Sequence, residues 1–386
     1  MKDKLPINLE ILKWARMSIG YTIEDVAHRL KKDPSEIASW ESGDASPTYP
    51  QLESLAYDLY KRPVALFFFP EVPKESSLKV EFRTLPDLTI ETLPKEIIKA
   101  YRKAKLFQLN LIELYEEQKP LPKSILDRFE LRPTMPLSDV ARSIRSTLNI
   151  SIEEQFSWSS IDQAFKTWRK SLEDNGIFVF KEAFLQNEYS GFCIYDEKYP
   201  IIFVNNSMPM ARQLFTLFHE LGHLLLRSGG IDFYDRSIPE AFPGQYGSFE
   251  KLCNDFANNI LVPDVTFDSF KLEPNVKNIE NLALKFSVSR EVILRKLLDR
   301  RLINSNTYRD YVKGWAEQAN SKRSTESGGN YHLTKKAYLG ESYVNLAFSK
   351  YYQNKISSDT LSELLNIKPK NLDTFEHFAF ARGDRD

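Results

Sequence analysis

Apolar residues recur at helical spacing through the first seventy positions. In "INLEILKWARMSIG", Leu9, Leu12 and Ala15 share one face before the stop at Gly20. "YTIEDVAHRLKK" predicts a second helix, with Thr22 as N-cap and Asp25 three residues on in an acidic version of the capping box. "DPSEIASWESG" predicts a third, in which Asp33 caps, Pro34 takes the first helical position, Glu36 closes the box and Gly43 ends the helix. Two short helices with a tight turn between them make a helix-turn-helix unit. A further amphipathic helix is expected over about 50–60, and the prolines after it place a domain boundary near residue 72.

Beyond that boundary a loop leads into one long helix from about Pro94 to Gln118, so residues 73–135 read as a linker and a connecting helix that packs on the region C-terminal to it. Residues 136–320 read as the next domain, and from about 136 to 265 its pattern mixes helices with short strands. "IFVFKEAF", "GFCIYD" and "PIIFVNN" are apolar runs separated by turn residues, and their closeness in the chain favours a small antiparallel sheet. "NIENLALKFSVSREVILRKLLDRRLI" predicts two more helices, and the polar, glycine-bearing "NSKRSTESGGN" predicts a linker. Residues 331–386 then form a small helical module, whose His332 and His377 are isolated and read as surface or core histidines. The fold class expected is α+β, mostly helical.

Composition narrows the function classes. A chain of 386 residues is expected to form two or three compact units, and 42% hydrophobic with 27% charged residues is ordinary globular composition. A formal charge of −1 supplies no global basic field for nucleic acid or membrane, so any DNA contact must be local. Only Cys193 and Cys253 occur, far apart in sequence, which argues against a disulfide framework and fits a reducing compartment. "MKDKLPINLE" has no apolar signal region, and "VALFFF" is too short to span a bilayer. A cytoplasmic location without membrane association is the expectation.

One stretch stands against its own pattern. "FTLFHELGHLLL" is apolar enough for full burial, yet it carries His219, Glu220 and His223. Unpaired polar groups are costly to bury, about 2–7 kcal/mol each, so these three need partners. His219 and His223 lie one helical turn apart and project from the same face, where both rings can reach one ion. Glu220 is rotated about 100° from His219 and suits a base that serves a water beside the metal. This H-E-x-x-H spacing is that of two zinc ligands and a general base. A catalytic zinc needs a third protein ligand. "GSFEKLCNDFANNILVP" predicts a helix capped by Ser248 and stopped at Pro263, with Glu250 in its first turn beside the apolar stripe. Asn254, a turn further on, can hold the Glu250 carboxylate or the second nitrogen of a histidine. Cys253, Asp255 and Asp264 are the rival third ligands on these grounds.

"RQLFTLFHELGHLLL", preceded by "YPIIFVNN" and followed by "FEKLCNDFANNILVP", resembles the ImmA/IrrE family of zinc metallopeptidases over roughly 140–300. That family's pattern runs R-x-x-F-T-x-x-H-E-x-x-H, then E-x-x-x-N-x-x-A and a helix ending in L-x-P. The resemblance implies a zincin-like core, Zn2+ held by His219, His223 and Glu250, and Glu220 as the base. Phe218 departs from the alanine common before the first histidine. The N-terminal block resembles the five-helix Xre-type helix-turn-helix domain found fused to such peptidases, and "GGNYHLTKKAYLG" extends the resemblance into the C-terminal module. It implies a protein substrate of the repressor or antitoxin class.

For DNA, the candidate reader is 34–41, with Ser35, Glu36 and Ser39 outward, Lys31 and Lys32 in the turn, and Arg29 just before it. Residues 1–70 carry nine basic against ten acidic side chains, a weak electrostatic footprint. An operator, or a protein partner docked on the same helices, is the expected ligand, and readers of this type work as dimers, so a homodimer is expected. "PIIFVNN" reads as an edge strand along which an extended substrate pairs, with Asn205 and Asn206 near the cleft. The loop from Ser228 to Gly247 reads as a lid. The rival expectation is a DNA-binding regulator or antitoxin whose zinc domain is a sensor or structural element without proteolysis.

Overall fold

The computed structural model describes residues 4–60, 62–73, 93–115, 123–228, 230–233, 245–270, 273–321 and 330–380. Among these, everything up to Leu106 falls in one compact unit and everything from Phe107 onward in another.

The first unit holds α1 (Leu9–Ser18), α2 (Ile23–Leu30), α3 (Pro34–Ser42) and α4 (Tyr49–Glu53), the last running on as a π-helical turn over Ser54–Tyr60. The capping box expected at Thr22 and Asp25 forms in both directions, at 2.9 and 3.1 Å. At α3, Asp33 accepts from the Ser35 N–H, but Glu36 does not close a box, because its carboxylate accepts from Lys32 Nζ at 2.7 Å instead. Ile11, Leu12, Val26, Ile37, Trp40, Leu52, Leu55 and Phe67 meet in the core. The long helix α5 (Lys95–Tyr115), expected to pack wholly on the region C-terminal to it, divides instead. Its first part to Leu106 belongs to this unit, with Ile98 against the core.

The second unit continues with α6 (Leu137–Thr147), α7 (Ile152–Ser157), α8 (Ile161–Asp174), β1 (Phe178–Glu182), β2 (Tyr189–Ile194), β3 (Ile201–Asn205) and α9 (Met210–Leu225). Then come β4 (Gly230–Phe233), α10 (Gln245–Leu261), α11 (Asp264–Asp268), α12 (Val276–Phe286), α13 (Arg290–Asp299) and α14 (Ser305–Ser321). The strands order β1-β3-β2-β4. β2 pairs antiparallel with β3 and β4, but β1 runs parallel to β3, so the sheet is mixed rather than wholly antiparallel. The cause lies in the chain path: β2 comes between β1 and β3 in sequence but pairs on β3's other side, so β3 returns alongside β1 in the same direction. β3 is therefore interior, and among the described residues the edge role expected for "PIIFVNN" passes to β1 and β4.

Strand alternation gives the sheet two apolar faces. Val179, Ile202 and Val204 join the large core with Trp168 of α8 and Leu214, Leu217 and Leu221 of α9. Phe180 and Phe203 form an aromatic layer with Phe107 of α5 and Tyr343, where the Phe107 and Phe180 rings stack at 4.4 Å. Tyr343 comes from the C-terminal helices α15 (Tyr331–Leu339), α16 (Glu341–Tyr352), α17 (Ser358–Leu365) and α18 (Leu372–Phe380). The Arg169 guanidinium on α8 donates to the Ala337 carbonyl at 2.6 Å and so anchors the end of α15. These helices complete the second unit, with α15 against β1. No helix among the described residues is long and apolar enough to cross a membrane.

Candidate functional site

Helix α9 is buried from Arg212 to Leu225. It can sit so deep because glycines face it or lie within it at two crossings. On β2, a Cβ at Gly191 would stand 2.5 Å from Thr216 Cγ2 and 2.8 Å from the Phe203 carbonyl oxygen, so only glycine lets α9 lie this close to the sheet. On the other side, a Cβ at Gly222 would meet Cys253 Sγ at 3.0 Å and Cys253 Cα at 3.2 Å. Gly222 is costly inside a helix, about 1 kcal/mol relative to alanine, and its return is the close approach of α10.

That approach brings three donors together. His219 Nε2 and His223 Nε2 are 3.1 Å apart, and the Glu250 carboxylate lies 3.2 Å from the first and 3.1 Å from the second. All three residues are buried, and together they are the group of His, Cys, Asp and Glu side chains, among the described residues, arranged to hold a metal ion. Ligand bonds of about 2.0–2.2 Å place tetrahedral donors about 3.3–3.6 Å apart, a few tenths of an ångström wider than the observed edges of this triangle. Burial opposes charge on His223, yet Cys253 and Glu250 beside it hold its imidazolium well above the ordinary range. Burial likewise opposes the Glu250 carboxylate, and His223 and His219 outweigh it, holding that carboxyl well below the usual range. Two imidazoles and a carboxylate convergent in the buried interior fit a divalent cation.

Asn254 takes one of the places expected for it: its Oδ1 lies 3.1 Å from His219 Nδ1, which fixes the ring so that Nε2 faces the other donors. Glu220 is fully buried between the two histidines in sequence. Cys253 lies beside His223, but none of the three rivals joins the ligand group. Asp264 pairs with Lys296 at 2.5 Å and Arg300 at 2.8 Å, burial pushes Asp255 up, and Cys253 is a buried thiol packed at the Gly222 crossing. Ser248 is not the cap of α10, which already begins at Gln245.

The far end of α10 is held by groups that the sequence did not single out. Arg145 Nη1 donates to Gln155 Oε1 at 2.7 Å and to the Ile260 carbonyl at 2.8 Å, while Gln155 Nε2 donates to the carbonyls of Leu261 and Phe286. These otherwise orphaned helix-end carbonyls are thereby satisfied in the interior. Burial pushes the Arg145 guanidinium down to about 10. With α10 fixed at its end and at Cys253, Glu250 has little freedom to leave the histidines. Replacing Gly222 by Val is expected to overfill this crossing at about 1–3 kcal/mol and to weaken the affinity of the three donors for an added divalent metal about 10- to 100-fold. Competition against a chromophoric chelator measures this, with Gly222→Ala intermediate; unchanged affinity in the valine variant would show that the crossing does not position Glu250.

The expected substrate contacts are corrected. Asn205 is fully buried, and its side chain accepts from the N–H groups of Phe184 and Ser207 and donates to the carbonyls of Gln186 and Tyr189. It ties the ends of the strands and offers nothing outward. Asn206 Nδ2 donates to the Tyr338 hydroxyl at 3.2 Å, so it faces α15. Most of the loop expected as a lid, 229 and 234–244, lies outside the described residues. His332 is a packing residue, its ring stacked on Phe378 at 5.4 Å.

In the helix-turn-helix, Lys31 is exposed in a left-handed turn after α2. Lys32 is less free than expected, because it is held by Glu36 and lies 5.6 Å from the centre of the Trp40 ring. The Ser35 hydroxyl donates to Asp33 and that of Ser39 to the Glu36 carbonyl, both on the outer side of α3, whose Ile37 and Trp40 are core. Arg29 is exposed, its guanidinium over the Tyr21 ring. A buried fork was not anticipated: Arg16 donates to both Glu41 oxygens, at 2.6 and 2.9 Å, and to the Tyr21 carbonyl at 2.7 Å.

Fold and site together define a helix-turn-helix module joined in one chain to a metallopeptidase-type domain. Residues 12–56 match the helix-turn-helix family model, and residues 172–298 match that of the IrrE N-terminal-like domain, a peptidase family. No curated protein matches the chain. The chain thus joins an Xre-type helix-turn-helix segment to an ImmA/IrrE-like domain.

Proposed function

We propose that the chain is a regulatory zinc-dependent endopeptidase whose target is a repressor or antitoxin-like protein, and whose N-terminal unit binds operator DNA. The observation that carries the reading is the buried His219, His223 and Glu250 triangle, with donor separations of 3.1 to 3.2 Å. When bound, zinc would supply Lewis-acid polarisation of the scissile carbonyl and of water. His219, His223 and Glu250 hold it, and Asn254 keeps the His219 ring turned toward it. Glu220 takes a proton from the attacking water and returns it to the leaving amine. β4, an edge strand that packs beside α9, is the place where an extended substrate adds to the sheet. The helix-turn-helix match and the peptidase-family match support a regulator that couples DNA to proteolysis.

The test is elemental analysis of the purified chain. Stoichiometric zinc is expected in the parent and its loss in Glu250→Ala, with the far-ultraviolet circular dichroism unchanged. A variant that keeps its full complement of zinc would exclude Glu250 as the third ligand, and a parent without metal would end the peptidase reading.

A further inference from the structure

The helix-turn-helix residues alone are a poor match for a polyanion, with nine basic and ten acidic side chains over 1–70. The compact N-terminal unit is larger than that segment. Residues 93–106 of α5 and its lead-in add Lys95, Lys99, Arg102, Lys103 and Lys105 against Glu96 alone. Lys95 and Lys99 are one turn apart, so they project from the same side of α5.

Both converge on Tyr21, the residue just before the cap of α2. Lys99 Nζ lies 4.8 Å from the Tyr21 ring centre, Lys95 Nζ 5.2 Å and the Arg29 guanidinium carbon 5.2 Å. The ring itself is only 3% exposed, and its hydroxyl is buried with no hydrogen-bond partner. One acid offsets these cations: Asp25 pairs with Lys95. Arg29 and Lys99 have no acidic partner among the described residues, and Arg29 is exposed while Lys99 is half-buried. Like charges held around one low-dielectric ring repel each other until an anion arrives between them. Arg29 closes the helix that precedes the turn into α3, and the exposed Lys31 follows it, so the excess charge continues into the reading motif.

We propose that Arg29 and Lys99, gathered around Tyr21, form a contact for the phosphodiester backbone of duplex DNA that extends the helix-turn-helix interface onto α5. The inference rests on the reading of this unit as a DNA binder and adds where its affinity arises. The α3 side chains carry no lysine or arginine, so sequence preference sits on α3 and the sequence-independent attraction sits on Arg29, Lys31 and Lys99. Glu24 and Asp25 at the start of α2 oppose an anion at that helix end, which leaves the Arg29 and Lys99 side of the ring as the seat.

The experiment is fluorescence anisotropy of the full chain on a 40-base-pair duplex of arbitrary sequence, over a series of salt concentrations, for the parent and for Arg29→Gln with Lys99→Gln. Each phosphate contact removed is expected to flatten the slope of log affinity against log salt by about 0.9, so the double variant should lose about 2 in slope. Its affinity at low salt should fall at least tenfold with thermal stability unchanged, while Ser35→Ala and Ser39→Ala leave the slope alone. A parent that binds while the double variant keeps slope and affinity overturns the contact and leaves the DNA reading standing. A parent that binds neither this duplex nor genomic fragments overturns both.

Discussion

Replacing Glu220 by Gln is expected to cut proteolysis by about 10²–10⁴-fold while leaving the metal in place. The amide has the shape of the carboxylate but cannot take a proton, so the step from water to leaving amine loses its carrier. Removing a positioned general base typically costs about 10²–10⁴-fold in rate. Glu220 lies on the helix between His219 and His223 but outside the triangle that these form with Glu250, so zinc content is expected to stay stoichiometric. In cells the measurement is a comparison of proteomes with the parent and with Glu220→Gln, looking for a cleaved fragment that disappears. If the zinc leaves with the carboxylate, Glu220 is part of the metal cage and not a base. If the metal and the cellular effect both persist without Glu220, the peptidase-like domain acts as a sensor in a DNA-binding regulator, and proteolysis is not its output.

The candidate site was legible because its chemistry contradicts its surroundings. Two histidines and a glutamate within one turn of "FTLFHELGHLLL" have no reason to be buried unless something binds them, and that contradiction is visible without coordinates. Glu250 was harder, since spacing of thirty residues carries no geometry, and it stood beside Cys253, Asp255 and Asp264 until the resemblance favoured it. A further signal lay in Gly222: a glycine in the middle of a helix marks a close crossing, and here the element that crosses is the one bearing Glu250. What escaped was topology and long-range polar pairing. The three strand segments showed their apolar runs, but no local pattern tells a hairpin from a parallel return, so β3 was expected at an edge and found inside. Asn205 followed that error, because an asparagine at a strand end looks the same whether it faces a cleft or ties a buried turn. Arg145 with Gln155, and Arg16 with Glu41, are partners only through the fold.

The second large effect concerns the Arg16 and Glu41 pair. Replacing Glu41 by Ala is expected to destabilise the N-terminal unit by about 3–5 kcal/mol, because it leaves the Arg16 charge in the interior with its fork broken. The side chains are 10% and 8% exposed, so water can do little to replace the carboxylate. In the parent the Glu41 hydrogen bond, set against burial, raises the Arg16 guanidinium above its ordinary value; in the variant that support is gone, yet a guanidinium stays protonated in proteins, so the charge remains unpaired. The pair joins α1 to α3, and the third donor bond, to the Tyr21 carbonyl, ties both to the turn before α2. Its loss therefore loosens the angle between the helices rather than any one helix. A loss of that size is a large share of the roughly 5–15 kcal/mol that holds a typical domain together. Hydrogen exchange over residues 9–60 is the measurement: protection at Ile37 and Trp40 should fall by at least a hundredfold, while α9 and α10 exchange as in the parent, since they lie in the other compact unit. Removing both partners, as Arg16→Met with Glu41→Leu, should recover most of the protection, because no buried charge is then left alone. Full protection in the single variant would mean that the fork contributes only packing, and the helix angle would have to be set by Leu12, Ile37 and Trp40 instead.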